Sequence, residues 1–324
     1  MHKGFFQKFH KSFTLVELSI VLLVLSLLVT ITLSGEKLIS NAKAMRIMKD
    51  ISNYRQAINQ FYQTYEVLPG DYNNAQYKFA PSGYTTMSLN NIATLGKDVT
   101  DKIPLNGDYN GMVSGMINGS SSFYYSEVYG VWSHLSASHL IDEQYSNTCY
   151  DVTSSRRSEC NKAGYNLPSI PSGYSKDSTF LFYSSQLSIY DDRLYGAIED
   201  QIKRQGEFSV YNMLLLIDNT RSYPYKGGSS IDDNVAFGAG GGVSSDVMMI
   251  IDAKMDDGKP FTGHVFGING GSNDSANNGN KDGQCNTYNG YNNFFTGNDY
   301  SSVVYTNSSK KSCVGIILFN ELNS

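Results

Sequence analysis

The chain has 324 residues, 25 basic against 30 acidic side chains, a net charge of −5 and four cysteines. That length buries a real core in one or two domains and excludes a small scaffold held together by bridges. The charge balance excludes the broad basic surface that nucleic-acid binding needs, so no nucleic-acid partner is expected.

Residues 1–12 form a basic leader, with Lys3, Lys8 and Lys11 and no acid. The run from Phe13 to Leu33 is apolar or small throughout except for Glu17, and it is long enough to cross a hydrocarbon core as a helix. Basic residues beside a span hold that flank in the cytoplasm, which predicts a single-pass chain whose remainder lies outside it. A carboxylate within a span costs on the order of 3 kcal/mol on insertion scales, so Glu17 is expected to have a partner or a job.

Beyond the span, apolar residues recur at Leu38, Ala42, Met45, Met48 or Ile51, Tyr54, Ile58, Phe61 and Tyr65, on the three- and four-residue steps of one helix face. Pro69 and Gly70 end the pattern. Together the two halves predict one helix over 13–66, transmembrane over 13–33 and roughly 80 Å long at about 1.5 Å per residue.

Residues 67–324 are expected to form an extracytoplasmic head. Within it, 126–141 read as a shorter helix that carries Tyr129, Trp132, Leu135 and Leu140, with Trp132 in the core. Residues 208–219, 246–254, 263–268, 301–306 and 313–319 read as strands. The fold class this predicts is α+β, a mostly antiparallel sheet in a globular head on a long N-terminal helix, a lollipop. Gly238–Asp246 reads as a flexible loop, because it lacks the lysine of a P-loop and the dinucleotide spacing. The Gly/Asn-rich loop at about 267–300 has too little apolar content for a core of its own.

All four cysteines, Cys149, Cys160, Cys285 and Cys313, follow the span, and their spacing matches no zinc pattern. In an oxidising compartment the simplest pairing is Cys149 with Cys160 and Cys285 with Cys313, one of the three connectivities open to four cysteines. No Gly-x-Ser-x-Gly elbow is present, and His134 and His139 stand five apart, on different helix faces, which assigns them structural or surface roles. No catalysis, metal or cofactor is assigned. Asn278–Gly283 begins like a calcium loop and contributes Asp282, but its twelfth position is Asn289 instead of Glu. The other calcium candidates are Asp252, Asp256 and Asp257, which read more simply as a turn.

The stretch "SFTLVELSIVLLVLSLL" resembles the N-terminal signal of type IV pilins and type II secretion pseudopilins: a basic leader, a cut before Phe, and Glu at the fifth position after it. Ser12 stands where that family has Gly. The resemblance implies cleavage between Ser12 and Phe13 by a prepilin peptidase, methylation of the new amine, and pairing of Glu17 with the N-terminus of a neighbouring subunit. It further implies a minor pilin or pseudopilin-like structural subunit of a bacterial inner membrane, with its head in the periplasm. Its partners would be other pilin or pseudopilin subunits, an inner-membrane assembly platform and the lipid bilayer. "VLPGDYNNA" (67–75), "VWSHLSASHLI" (131–141) and "IDAKMDDGKPFTG" (251–263) look like segments of large members of the same group. The alternative is a signal-anchored extracytoplasmic binding or adhesion protein that does not polymerise.

Overall fold

The computed structural model describes residues 14–79, 104–113, 127–147, 162–170, 178–185, 211–218, 223–224, 235–236, 240–269, 285–287, 303–306, 308–309 and 311–319. The chain divides into two compact units, Met1–Ala42 and Lys43–Ser324, and helix α1 (Leu15–Tyr65) runs through the boundary between them without a break. In the first unit, Leu15 to Val29 present their apolar side chains outward, each between 45 % and 86 % exposed where the residue is large. The polar side chains in this stretch turn back on the helix. Ser19 Oγ donates to the Val16 carbonyl, Ser26 Oγ to Leu23 and Thr30 Oγ1 to Ser26, each at 2.8 Å. Hydroxyls bonded in this way leave nothing for a surrounding apolar medium to satisfy. α1 is the one described helix long and apolar enough to cross a membrane.

In the second unit α1 becomes one-sided. Ala44, Ile47, Ile51, Ala57, Ile58 and Phe61 are buried, the spacing of a helix stripe laid on a core. The helix ends where Glu66 takes a left-handed backbone (φ 59°), with Leu68 and Pro69 following. A short helix, α2 (Ala75–Phe79), and then α3 (Glu127–Ala137) come next. α3 is buried from Glu127 through Ser136, which makes it a central helix. Trp132 lies wholly inside, as expected, edge-on to Tyr54 at 5.0 Å and to Tyr145 at 6.3 Å.

The sheet is antiparallel at every pairing. β1 (Ser178–Ser185) lies against β2 (Tyr211–Asp218), β2 against β8 (Lys311–Leu318), and β8 against β7 (Val265–Asn269). Two short pieces, β5 (Gly240–Gly241) on β2 and β6 (Val243–Ser244) on β8, fill the place where those strands part. β3 (Tyr223–Pro224) and β4 (Val235–Ala236) form a separate ribbon. Cross-strand partners share a face, so Phe180, Leu216, Gly315 and Gly267 make one row across the four long strands. Tyr54 of α1 packs on Phe180 at 5.2 Å. The two glycines at the other end of the row admit bulky neighbours: a Cβ on Gly315 would stand 2.8 Å from Met248 Sδ, and one on Gly267 would run into the Tyr305 ring. The opposite face, with Leu181, Tyr183, Leu215 and Ile316, is buried as well.

Both outer edges of this sheet are covered. Phe180 N–H of β1 donates to Pro168 O and Ser184 N–H to Val113 O. On β7, Gly267 N–H donates to Pro260 O, and its carbonyl accepts from Asn286 Nδ2 at 2.7 Å. A covered edge gives no template for another strand.

Three expectations need correction. Residues 246–254 are not a strand: they lie in α4 (Ser245–Met255), which buries Val247, Met248, Ile251 and Asp252, the i, i+1, i+4, i+5 face of a helix. Gly238–Asp246 is no free loop either, since its described part supplies β5, β6 and the start of α4. The segment 303–306 is less than a strand, joined to 285–287 by a single bridge, Asn286 with Tyr305.

Cys285 and Cys313 form a disulfide across 28 residues of chain, as expected, whereas Cys149 and Cys160 lie outside the described residues. Chain entropy alone gives about 3 to 4 kcal/mol for a loop of that length. Cys285 is held independently, by Asn269 Oδ1 on its N–H at 2.6 Å and by Ser245 Oγ and Thr306 N–H on its carbonyl. Replacing both cysteines with serine is therefore expected to cost about 2 to 4 kcal/mol, read from denaturant unfolding of the full chain in detergent, with the sheet signal in circular dichroism kept.

Candidate functional site

At the start of α1, Thr14 and Glu17 form a reciprocal pair. Glu17 Oε2 accepts from Thr14 N–H and from Thr14 Oγ1, both at 2.9 Å, and Glu17 N–H donates back to Thr14 Oγ1 at 3.2 Å. This is a capping box: the threonine and the glutamate three residues later satisfy donors that a helix N-terminus leaves open. Glu17 is the one charged residue between Phe13 and Gly35. Ser12 and Phe13, the expected processing site, lie outside the described residues.

The structure brings together three of the four calcium candidates. One carboxylate oxygen each from Asp252, Asp256 and Asp257 fall within 4.8 Å of one another, at the end of α4 and the turn into β7, and Asp282 lies outside the described residues. These oxygens already work as acceptors. Asp252 takes Gly258 N–H at 3.0 Å and the Tyr305 hydroxyl at 2.6 Å, Asp256 takes Val265 N–H and His264 N–H, and Asp257 takes Lys259 N–H and the Thr262 hydroxyl. Burial pushes the Asp252 carboxyl up to about 7; the Tyr305 and Gly258 bonds oppose the rise, and the charges of Asp257 and Asp256 add to it.

A second carboxylate group, of Asp71, Asp108 and Glu127, was missed by the sequence reading. The signal for it is a repeated tetrapeptide: Gly-Asp-Tyr-Asn occurs at 70–73 and again at 107–110. The two copies lie together, with Gly107 N–H on Tyr72 O and Tyr109 N–H on Asp71 O. Buried Asp71 accepts from Asn110 N–H and Gly111 N–H at 3.0 and 2.9 Å, and buried Glu127 from Asp108 N–H at 3.0 Å. Burial lifts the Asp71 carboxyl to about 6 against those two amide bonds. Either group has the oxygen chemistry to take a hard cation, and each at present organises its own loop.

Behind the first copy sits His134. Its Nδ1 accepts from Gly70 N–H at 2.9 Å and its Nε2 lies 2.7 Å from the Leu105 carbonyl, an arrangement that requires the neutral ring with its proton on Nε2. Burial pushes its pKa down to about 4. The expectation of a structural role for His134 agrees with this geometry. His139 stands just past α3 at φ 59° and is exposed.

Compared with protein-family models, curated proteins and solved structures, the chain matches none.

Proposed function

We propose that the chain is a membrane-anchored structural subunit, a minor pilin or pseudopilin-like protein that assembles through its N-terminal helix into a type IV pilus or a type II secretion pseudopilus. The observation that carries this reading is the one carboxylate of the apolar run, at the third position of a helix 51 residues long. An anchor needs the apolar run alone; an acid at its head is a registration device, tolerable where a neighbour's cationic N-terminus lies within a few ångströms. On this reading the span sits in the inner membrane with the leader in the cytoplasm and the head in the periplasm. A prepilin peptidase cuts between Ser12 and Phe13, and the assembly platform receives the product. The role requires no catalysis and no cofactor.

N-terminal mass spectrometry of the protein recovered from its native membrane tests the reading. The expected species begins at a methylated Phe13. A terminus at Met1 or His2 would overturn it in favour of the signal-anchored binding protein, a reading that one observation favours: the Glu17 carboxylate already finds its donors within its own chain.

A further inference from the structure

Both flanks of the apolar span are basic, and only one of them can stay in the cytoplasm. Before the span stand Lys3, Lys8 and Lys11; after it come Lys37, Lys43, Arg46 and Lys49, between four and sixteen residues beyond Leu33. Because α1 runs without a break from Leu15 to Tyr65, no loop separates these four cations from the span. At about 1.5 Å per residue they occupy roughly 6 to 24 Å of helix past Leu33. Lys37, Arg46 and Lys49 are exposed and Lys43 is half-buried, so none of the four belongs to the core of the head.

The orientation of a span follows the lysines and arginines within about 15 to 20 residues of its ends, and acids count for little in that bias. By that measure the two flanks stand at three against four. Glu36 and Asp50 lie among the second group without altering it. The head carries a wholly buried Cys285–Cys313 bridge, which requires the oxidising side, whereas the second group by itself would hold the head on the cytoplasmic side. These two demands conflict. The leader lysines are the cations that can offset the second group, and they are helped by the length of the head, since long domains cross largely regardless of their own charge.

We propose that Lys37, Lys43, Arg46 and Lys49 are a second orientation signal that opposes the leader, so that the side on which the head lies is decided by competition between the two flanks. This inference rests on the membrane-anchored part of the proposed function and is independent of assembly and of cleavage before Phe13. It gives the leader a task with an end. While the head is crossing, loss of the leader would leave the bias at none against four. Once the head has folded and Cys285 has joined Cys313, a folded domain too large and polar to return holds the orientation, and the leader lysines have nothing left to decide.

Full-length chains in their native cells test the competition. Peptide mass spectrometry of the membrane fraction reads the share of chains in which Cys285 and Cys313 are joined, since a head left in a reducing cytoplasm keeps its thiols. Protease added to spheroplasts from outside reads the share of heads on the outer side. The leader variant Lys3→Gln, Lys8→Gln, Lys11→Gln is expected to lower both shares about twofold or more. Adding Lys37→Gln, Lys43→Gln, Arg46→Gln and Lys49→Gln to it is expected to bring both back near wild type, and those four substitutions with the leader intact are expected to leave both unchanged. A leader variant with wild-type shares overturns the proposal, as does a combined variant no better than the leader variant. A loss in the four-residue variant alone also overturns it, because the four cations would then be needed by the head itself. A wild-type chain missing from the membrane fraction would sink the anchoring reading, and this inference with it.

Discussion

Glu17→Ala is expected to lower incorporation of the chain into filaments at least about tenfold, while its amount in the membrane stays near wild type. The size follows from what assembly would bury: breaking a buried ion pair by removing one partner costs about 3 to 5 kcal/mol, because the other charge is left uncompensated. Insertion should not suffer, since removing a charge makes the span more apolar. The measurement is the ratio of chain in sheared filaments to chain in membranes, by immunoblot of cells that carry either form.

The capping box complicates this substitution in a way that can be separated. Glu17 also holds Thr14 N–H and Thr14 Oγ1, so alanine removes a helix cap worth about 1 kcal/mol together with the charge. Glutamine keeps an acceptor at the same place and loses only the charge. If pairing between subunits is what Glu17 does, Glu17→Gln is as deficient as Glu17→Ala, and Thr14→Ala, which spares the charge, is nearly normal. If the box is the whole role, glutamine restores incorporation and Thr14→Ala fails with alanine at 17. That second pattern would sink the assembly role and leave Glu17 as a cap on a plain anchor.

What the residues disclosed in advance follows from the range of the forces involved. α1 was legible because its two signals are local: an unbroken apolar run, then apolar residues at helical spacing, of which Ile58 and Phe61 are buried, whereas Leu38 and Met45 prove exposed and Ala44 and Ile47 take the core side in that part of the helix. The strands β2, β7 and β8 were legible as short apolar runs bounded by turn residues. The same rule misread 246–254, because five apolar residues in a row, Val247 to Ile251, fit a buried strand and a buried helix equally, and in the helix Met248 sits over Gly315 of β8. β1 gave a weaker signal, since the apolar part of "STFLFYSS" is only Phe180 to Tyr183, shorter than the run in its partner. The carboxylate groups divide in the same way. Asp252, Asp256 and Asp257 lie within six residues and could be named together, whereas Asp71, Asp108 and Glu127 meet only because two distant Gly-Asp-Tyr-Asn segments pair.

His134→Ala is expected to cost about 3 to 5 kcal/mol at neutral pH. The ring closes two buried backbone groups, Gly70 N–H and the Leu105 carbonyl, and each left unsatisfied costs about 1 to 3 kcal/mol before any cavity is counted. The acid side of the same residue has a definite sign. With its folded pKa pushed down to about 4 from an ordinary value near 6.5, the folded chain binds fewer protons here than the unfolded one, so His134 removes stability as pH falls from about 6.5 to about 4. Asp252 and Asp71, raised to about 7 and about 6, act in the opposite direction over much of that range, since each adds stability on acidification. The wild-type profile is therefore a difference of opposed terms. Glutamine offers an acceptor for Gly70 and a donor for Leu105 without a titrating group. Denaturant unfolding of His134→Gln in detergent is expected to show a chain more stable near pH 5 than near pH 7.5, the reverse of what a buried neutral histidine imposes. A variant that still loses stability on acidification would place the acid-sensitive group elsewhere.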